Sequence, residues 1–282
     1  MLEFFRGPIK TIISHGDVDG IASAAIALRR FPEAEVFFAE PYTLSDVLYS
    51  AVKPILVLDI ACKPGESVYV IDHHIVDAPA NTFLMKDWPE ATDFLVGLGL
   101  AADRRTEVTD PAVKVKATLL GDAIGLRPDD VEFRKTLVKI LSSGREELPE
   151  EVYVRATAYR EEFSKRLTYA RSLVREFGQS AMVVYVDIGK GFAGKLASVM
   201  GNDYRTFVLV WKNDGKTIVT VRGENARAIV EFFKNVDVKF CSGGGHDMAA
   251  SFSTDRSPAS VAKDLTILLS TLSSRLAEAV TR

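Results

Sequence analysis

Only two cysteines, Cys62 and Cys241, occur in 282 residues, and they stand too far apart to form a metal-type pair. That count excludes a disulfide-built scaffold and fits a reducing compartment. Neither sign of charge dominates: 35 Lys plus Arg face 38 Asp plus Glu, for a formal net charge of −3. Any polyanion must therefore be met by a local basic surface, because the whole molecule is no polycation. No apolar run reaches the ~18 residues that indicate a membrane span, and the N-terminus lacks the pattern of a signal peptide. The expectation is a cytoplasmic protein with no membrane partner. Low-complexity tracts and internal repeats are missing too. Histidine is scarce, with four in the whole chain, so the places where those four fall carry information.

What is present is a 47% apolar chain, long enough for one large domain or two smaller ones. Short apolar runs alternate with helical patterns through the first part: "IKTIIS", "AEVFFAE", "PILVLDIA" and "SVYVIDHH" read as strands, "GIASAAIALRRF" and "TLSDVLYSAV" as helices. This alternation predicts a mainly parallel sheet with helices on both faces, in a domain covering 1–145. A helical linker is expected over 146–179. There "PEEVYVRATAYREEFSKRLTYARSLVREFG" carries a proline near its start, acidic residues early, basic residues late and a final glycine, as one long helix would. Strand patterns return in 180–282, which reads as a smaller C-terminal α/β domain. Within it, "KNDGK" is a hairpin signal, since Asp-Gly supplies the positive backbone angles of a tight turn. The fold class is α/β.

In a parallel sheet, ligands bind beyond the carboxyl ends of the strands. "SHGDVDG" puts His15, Asp17 and Asp19 after the first strand, "LVLDIA" puts Asp59 after the third, and "YVIDHH" puts Asp72, His73 and His74 after the fourth. Taken singly, these residues are helix caps, turn formers or surface groups. Together they gather three of the four histidines at one sheet edge. Carboxylates crowded into one crevice repel each other and shift upward in pKa unless cations neutralise them. Imidazoles added to them coordinate metals rather than neutralise acids. A divalent cation site follows, with ligands suited to Mn²⁺ or a similar first-row ion. So many ligands point to two ions, ~3.5–4 Å apart, the clamp used in phosphoryl hydrolysis.

"HGDVDG", "LDIA" and "DHH", in this order on successive strands, resemble the signature blocks of the DHH phosphoesterase superfamily, in particular its RecJ-like exonuclease and nanoRNase branch. "GGGHDMAAS" resembles the glycine-rich motif of the DHH-associated C-terminal domain. The resemblance implies one ion held by His15, Asp17 and Asp59. It implies a second held by Asp19, Asp59 and His73, with Asp59 bridging. Asp72 would orient the histidine pair and His74 would contact the scissile phosphate. The family has one further aspartate ligand downstream. Asp103, ending the apolar "FLVGLGLAAD", fits best because a buried helix would deliver its last side chain into the crevice; Asp122 is the alternative. The implied cofactor is a pair of Mn²⁺ ions, with Mg²⁺ or Co²⁺ as substitutes.

In the C-terminal domain, Gly243, Gly244 and Gly245 let backbone N–H groups approach an anion and open into His246. Arg222 matches a basic strand-end position of the family domain and can pair with a phosphate bidentately. Lys190 and Lys195 are further cations for the same ligand. The implied activity is hydrolysis of single-stranded DNA or RNA, or of short oligonucleotides, by two-metal activation of water. The 282 residues leave no room for the extra nucleic-acid-binding domain of larger RecJ-like nucleases, which favours short substrates. The alternatives are a phosphatase or phosphodiesterase acting on pAp or a cyclic dinucleotide, and a non-catalytic replication scaffold of the Cdc45 type. Such a scaffold would be expected to have lost ligands. Family II pyrophosphatases share the DHH blocks but not a C-terminal domain with "GGGH".

Overall fold

The tetrapeptide Thr11–Ser14, two isoleucines between two hydroxyl residues, forms β1 and is buried along its whole length. Val18–Arg30 follows as α1, Glu35–Phe38 as β2, Leu44–Ser50 as α2, Ile55–Leu58 as β3 and Val68–Ile71 as β4. The computed structural model describes residues 7–76, 78–103 and 110–280, and the chain divides into two units, Met1–Tyr159 and Arg160–Arg282.

In the first unit all four strands run parallel, in the order β2-β1-β3-β4. Alternate residues point to opposite faces. Ile12, Leu56 and Leu58 pack in the core that includes Ile21 and Ala25 of α1, while Ile13, Ile55 and Val57 pack with Leu44 of α2. A sheet covered on both faces explains why β3 reads as an unbroken apolar run and why all four residues of β1 are buried. Two short helices, His73–Val76 (α3) and Asn81–Leu84 (α4), lead into Asp93–Ala102 (α5), Pro111–Leu126 (α6) and Val131–Ser142 (α7). Leu95 and Leu98 of α5, Leu120 of α6 and Leu137 of α7 join the same core as α1. Because the strands share one direction, Ser14, Leu58 and Ile71 end at one edge, where the next residues are His15, Asp59 and Asp72.

Glu150–Ser172 forms α8. The pattern predicts that this helix continues to Gly178, but it stops at Ser172. Arg175–Phe177 instead forms β5, antiparallel to Ser180–Val184 (β6). Gly178, with φ of 60°, is the first residue of the two-residue turn between the paired Phe177 and Ser180. The glycine that reads as a helix stop is a hairpin residue.

The second unit continues with Lys190–Gly201 (α9), Thr206–Asn213 (β7), Lys216–Gly223 (β8), Ala226–Val236 (α10), Phe240–His246 (β9), Ala249–Thr254 (β10) and Pro258–Val280 (α11). Its six-stranded mixed sheet has the order β5-β6-β7-β8-β10-β9. Asp214 and Gly215 turn β7 into β8 at φ of 47° and 78°, as the Asp-Gly signal predicts. Val208, Val219, Val221 and Phe252 pack with Phe233 of α10 and Leu265 of α11. Among the described residues no helix is long and apolar enough to cross a membrane.

Candidate metal centre

Asp17 is the N-cap of α1 and accepts the Gly20 N–H at 3.0 Å. The helix begins at Val18, two residues before the sequence pattern places it. Asp19 therefore sits inside the first turn, buried, where it accepts the backbone N–H groups of Asn81 (2.6 Å) and Thr82 (3.1 Å) at the start of α4. Asp59 follows β3 with φ of 58°, a left-handed backbone that costs a non-glycine residue energy and that Asp tolerates better than most. The bend turns its buried carboxylate into the cluster.

Both DHH histidines reach that carboxylate. His73 Nε2 lies 3.2 Å from Asp59 Oδ1 and 3.5 Å from Asp103 Oδ2, and its Nδ1–H donates to the Ala78 carbonyl at 3.1 Å. His74 Nδ1 lies 3.9 Å from Asp59 Oδ1 and donates to Asp72 Oδ1 at 2.8 Å. Asp72 thus holds His74, while a main-chain carbonyl holds His73; the family resemblance implies one carboxylate orienting both. His15 Nδ1 lies 2.9 Å from Asp17 Oδ2 and 4.0 Å from Asp59 Oδ2. Asp103 is the C-cap of α5. Gly99 of the same helix comes so near that an added Cβ would stand 2.1 Å from Asp19 Oδ1.

Three overlapping triads bring donor atoms within metal-binding reach: His15, Asp17 and Asp59; Asp19, His73 and Asp103; and Asp59, His73 and His74. Asp122, the alternative to Asp103, is in none of them. It is buried on α6, where its charge raises the Tyr159 hydroxyl, already pushed up by burial.

Burial, followed by the Asp17 charge, pushes the Asp59 carboxyl up to about 8. Burial and then Asp17 raise Asp19 as well. For His73, burial works downward, but Asp59 and the Ala78 carbonyl outweigh it and hold the imidazole at about 9. The Asp17 carboxylate raises His15 well above its ordinary value, against the pull of burial. Burial works to raise Asp17, but His15 outweighs it, and the carboxyl lies below the usual range. Without cations the centre is held together by protons, the behaviour of a site that exchanges protons for metal.

The residues present fit such ions. Among the described residues nothing donates a hydrogen bond of good geometry to the buried Asp59 Oδ1 and Asp72 Oδ2, an expense that folded proteins avoid unless something else satisfies the oxygens. The mixed carboxylate and imidazole donor set suits a first-row divalent ion.

Sequence reasoning misses several members. Glu40 lies just beyond β2, with Oε2 3.4 Å from His15 Nε2. The strand-end rule, applied to "AEVFFAE" as to the other three strands, finds it. Arg134 of α7 is buried against Gly16, where an added Cβ would stand 2.6 Å from its Cζ. No spacing in the sequence signals that approach.

The other predicted residues belong to the second unit. Arg222 on β8 and His246 on β9 both pair with Ala249 of β10, so they stand in one row across three adjacent strands. Arg222 Nε donates to Ser198 Oγ of α9 at 3.3 Å. Gly243, Gly244 and Gly245 run straight into His246. They run within β9, an exposed strand at the edge of the sheet.

Neither a known family profile nor a curated protein matches the sequence. Solved structures do match. The chain is similar to RecJ in complex with Mn²⁺ from Thermus thermophilus, with a TM-score of 0.63 and 14% identity over 97% of this chain and 53% of that one. It therefore spans about half the length of that nuclease. It is similar to the pGpG-specific phosphodiesterase PggH from Vibrio cholerae, with a TM-score of 0.60 and 13% identity over 93% of this chain and 99% of that one. The DHH domain of a protein described as a ribosomal-protein family member gives a TM-score of 0.60 and 13% identity over 89% of this chain and 83% of its own. At these identities the likeness is one of fold: the chain has the fold of RecJ, PggH and the DHH domain.

Proposed function

We propose that this chain is a divalent-metal-dependent phosphoesterase that hydrolyses single-stranded nucleic acid or short oligonucleotides. One observation carries the reading: the strand ends of a parallel sheet converge His15, Asp17, Asp19, Asp59, His73 and Asp103 into overlapping donor triads around buried, unsatisfied carboxylate oxygens. His15, Asp17 and Asp59 would hold one ion, and Asp19, His73, Asp103 and the bridging Asp59 a second. When bound, Mn²⁺ or a substitute such as Mg²⁺ or Co²⁺ supplies positive charge for the reacting oxygens and lowers the pKa of water. The protein's share is placement. Asp59, turned by its left-handed backbone, presents both oxygens to one crevice. Asp72 accepts Nδ1–H of the His74 ring, so that the ring, when it also carries a proton on Nε2, would donate Nε2–H to a phosphate oxygen of the substrate. The Asn81 and Thr82 amides fix Asp19 without needing a side chain of their own. Arg222, Gly243, Gly244, Gly245 and His246 form the proposed contact for the rest of the substrate. The domain limits 1–145, 146–179 and 180–282 and a cytoplasmic location go with this reading.

A second reading, a dinucleotide-specific phosphodiesterase, is favoured by the fold match that spans 99% of PggH. The deciding experiment supplies Mn²⁺ with end-labelled DNA and RNA of graded lengths, pGpG and pAp. Mononucleotides released from the oligomers support the nuclease. Turnover confined to pGpG moves the assignment to the dinucleotide enzyme, and turnover confined to pAp to a phosphatase. No turnover of any of them by folded, metal-loaded protein overturns the enzymatic reading and favours a scaffold.

A further inference from the structure

The two ring nitrogens of His15 face different carboxylates. Nδ1 is turned toward Asp17 and Asp59, and Nε2 toward Glu40 at 3.4 Å. A neutral imidazole can offer a lone pair from one nitrogen only, and the hydrogen bond at the other decides which one. We propose that Glu40 is a positioning residue for the metal centre: it accepts Nε2–H of His15 and so keeps Nδ1 as the donor atom for the ion. This rests on the metal-dependent reading above.

The surroundings of Glu40 are built for that task. Its N–H donates to Thr43 Oγ1 (3.0 Å), and its carbonyl accepts from both the Thr43 N–H (2.9 Å) and the Thr43 hydroxyl (3.2 Å). This fixes the main chain between β2 and α2. Arg134 rises from α7 with its guanidinium against Gly16 and 5.8 Å from the centroid of the Phe38 ring, so it touches both the β1 loop and the end of β2. Burial pushes the Arg134 guanidinium down, and the negative charges of Glu40, Asp129 and Asp17 work against that. A carboxylate near a ligand histidine adds negative charge to an acidic centre. Here a buried arginine offsets that charge, and the carboxylate can orient the ring without adding its full repulsion.

Carboxylates that orient a ligating histidine are worth about 10–100-fold in metal affinity. The test is Mn²⁺ binding to the full chain, followed by the electron paramagnetic resonance signal of free Mn²⁺. Glu40→Gln should weaken binding roughly 10–100-fold, and Glu40→Asp, which keeps the charge but withdraws it by one methylene, should fall between. In a His15→Ala background Glu40→Gln should add no further loss, because the two act as one unit. In Mg²⁺-loaded protein, ¹⁵N spectra of the four histidines should show His15 protonated at Nε2 in the wild type and a mixture of tautomers in Glu40→Gln. Wild-type binding with unchanged affinity in Glu40→Gln, or losses that add in the double variant, would overturn the role of Glu40 alone. A wild type that takes up no Mn²⁺ overturns both this role and the metal-dependent reading.

Discussion

In the first unit, Asp19, Asp59, Asp72 and His73 are buried side by side, and their charges are expensive. In the second unit, the glycine run and His246 lie on an exposed edge strand, and Arg222, part-buried, stands in the row of His246. Each buried carboxylate needs several fixed partners: a capping amide, an imidazole, a carbonyl beyond the imidazole. The exposed glycine strand rests on its ladder to β10. Crowded acid groups become useful only when cations offset their repulsion, and under the proposed function the first region is where bonds would be broken. An open strand with little side chain can follow different substrates at low cost, and under the same proposal the second region would hold them.

The comparison breaks most visibly at Asp59, which serves two of the triads. Asp59→Ala should cut turnover by roughly 10³-fold or more, the scale seen when one member of a mutually dependent catalytic group is removed. An enzyme that stays active without this carboxylate contradicts its bridging role. Asp103→Asn should weaken Mn²⁺ binding about tenfold or more, whereas Asp122→Asn should leave binding intact and lower the unfolding temperature, since Asp122 is buried away from the triads. Calorimetric titration of both variants separates them, and the opposite pattern would exchange their roles.

Substitutions in the second unit should act on substrate affinity. Arg222→Ala should raise KM by about 10–100-fold with kcat nearly unchanged, the worth of a charged hydrogen bond. Gly244→Ala is a finer probe, because a Cβ there meets open space, whereas one at Gly243 would press within 2.6 Å of Phe252. It should leave the unfolding temperature unchanged and raise KM a few-fold if substrate approaches this backbone. Unaltered KM in both variants would remove the sheet edge from substrate binding.

Proton linkage gives a gentler test. Metal-free protein holds protons on Asp59 up to about 8, against 3.8 for an ordinary carboxyl, and on His73 up to about 9, against 6.5. The unfolded chain releases each proton at the lower value, so the folded state binds more protons and stability falls as pH rises, through Asp59 from about 4 to 8 and through His73 from about 6.5 to 9. Thermal unfolding of chelator-treated protein should show this decline, and Mn²⁺ should reverse it. A flat profile would mean that the buried cluster is not strained without its ions.

Much of this is legible in the residues. Short apolar stretches mark the parallel strands, most fully in β3, because strands covered on both faces need no polar alternation. His15, Asp59 and Asp72 can be placed together because a parallel sheet sends all its strand ends to one edge. Glu40 is equally legible by the same rule. The end of α8 is not, because a glycine such as Gly178 marks both a helix stop and a hairpin turn, and only the partner strand distinguishes them. The strand character of the glycine run is not legible either: its strand exists because β10 lies beside it.

Local order along the chain thus determined which groups would meet: period, direction and strand ends are properties of short segments, and short segments are written in sequence. Tertiary structure decided how they meet. Asn81 and Thr82 reach Asp19 across 62 and 63 residues, and Arg134 presses on Gly16 from a helix far along the chain. Such contacts depend on helix packing angles and on the space a missing Cβ leaves, which no single segment encodes.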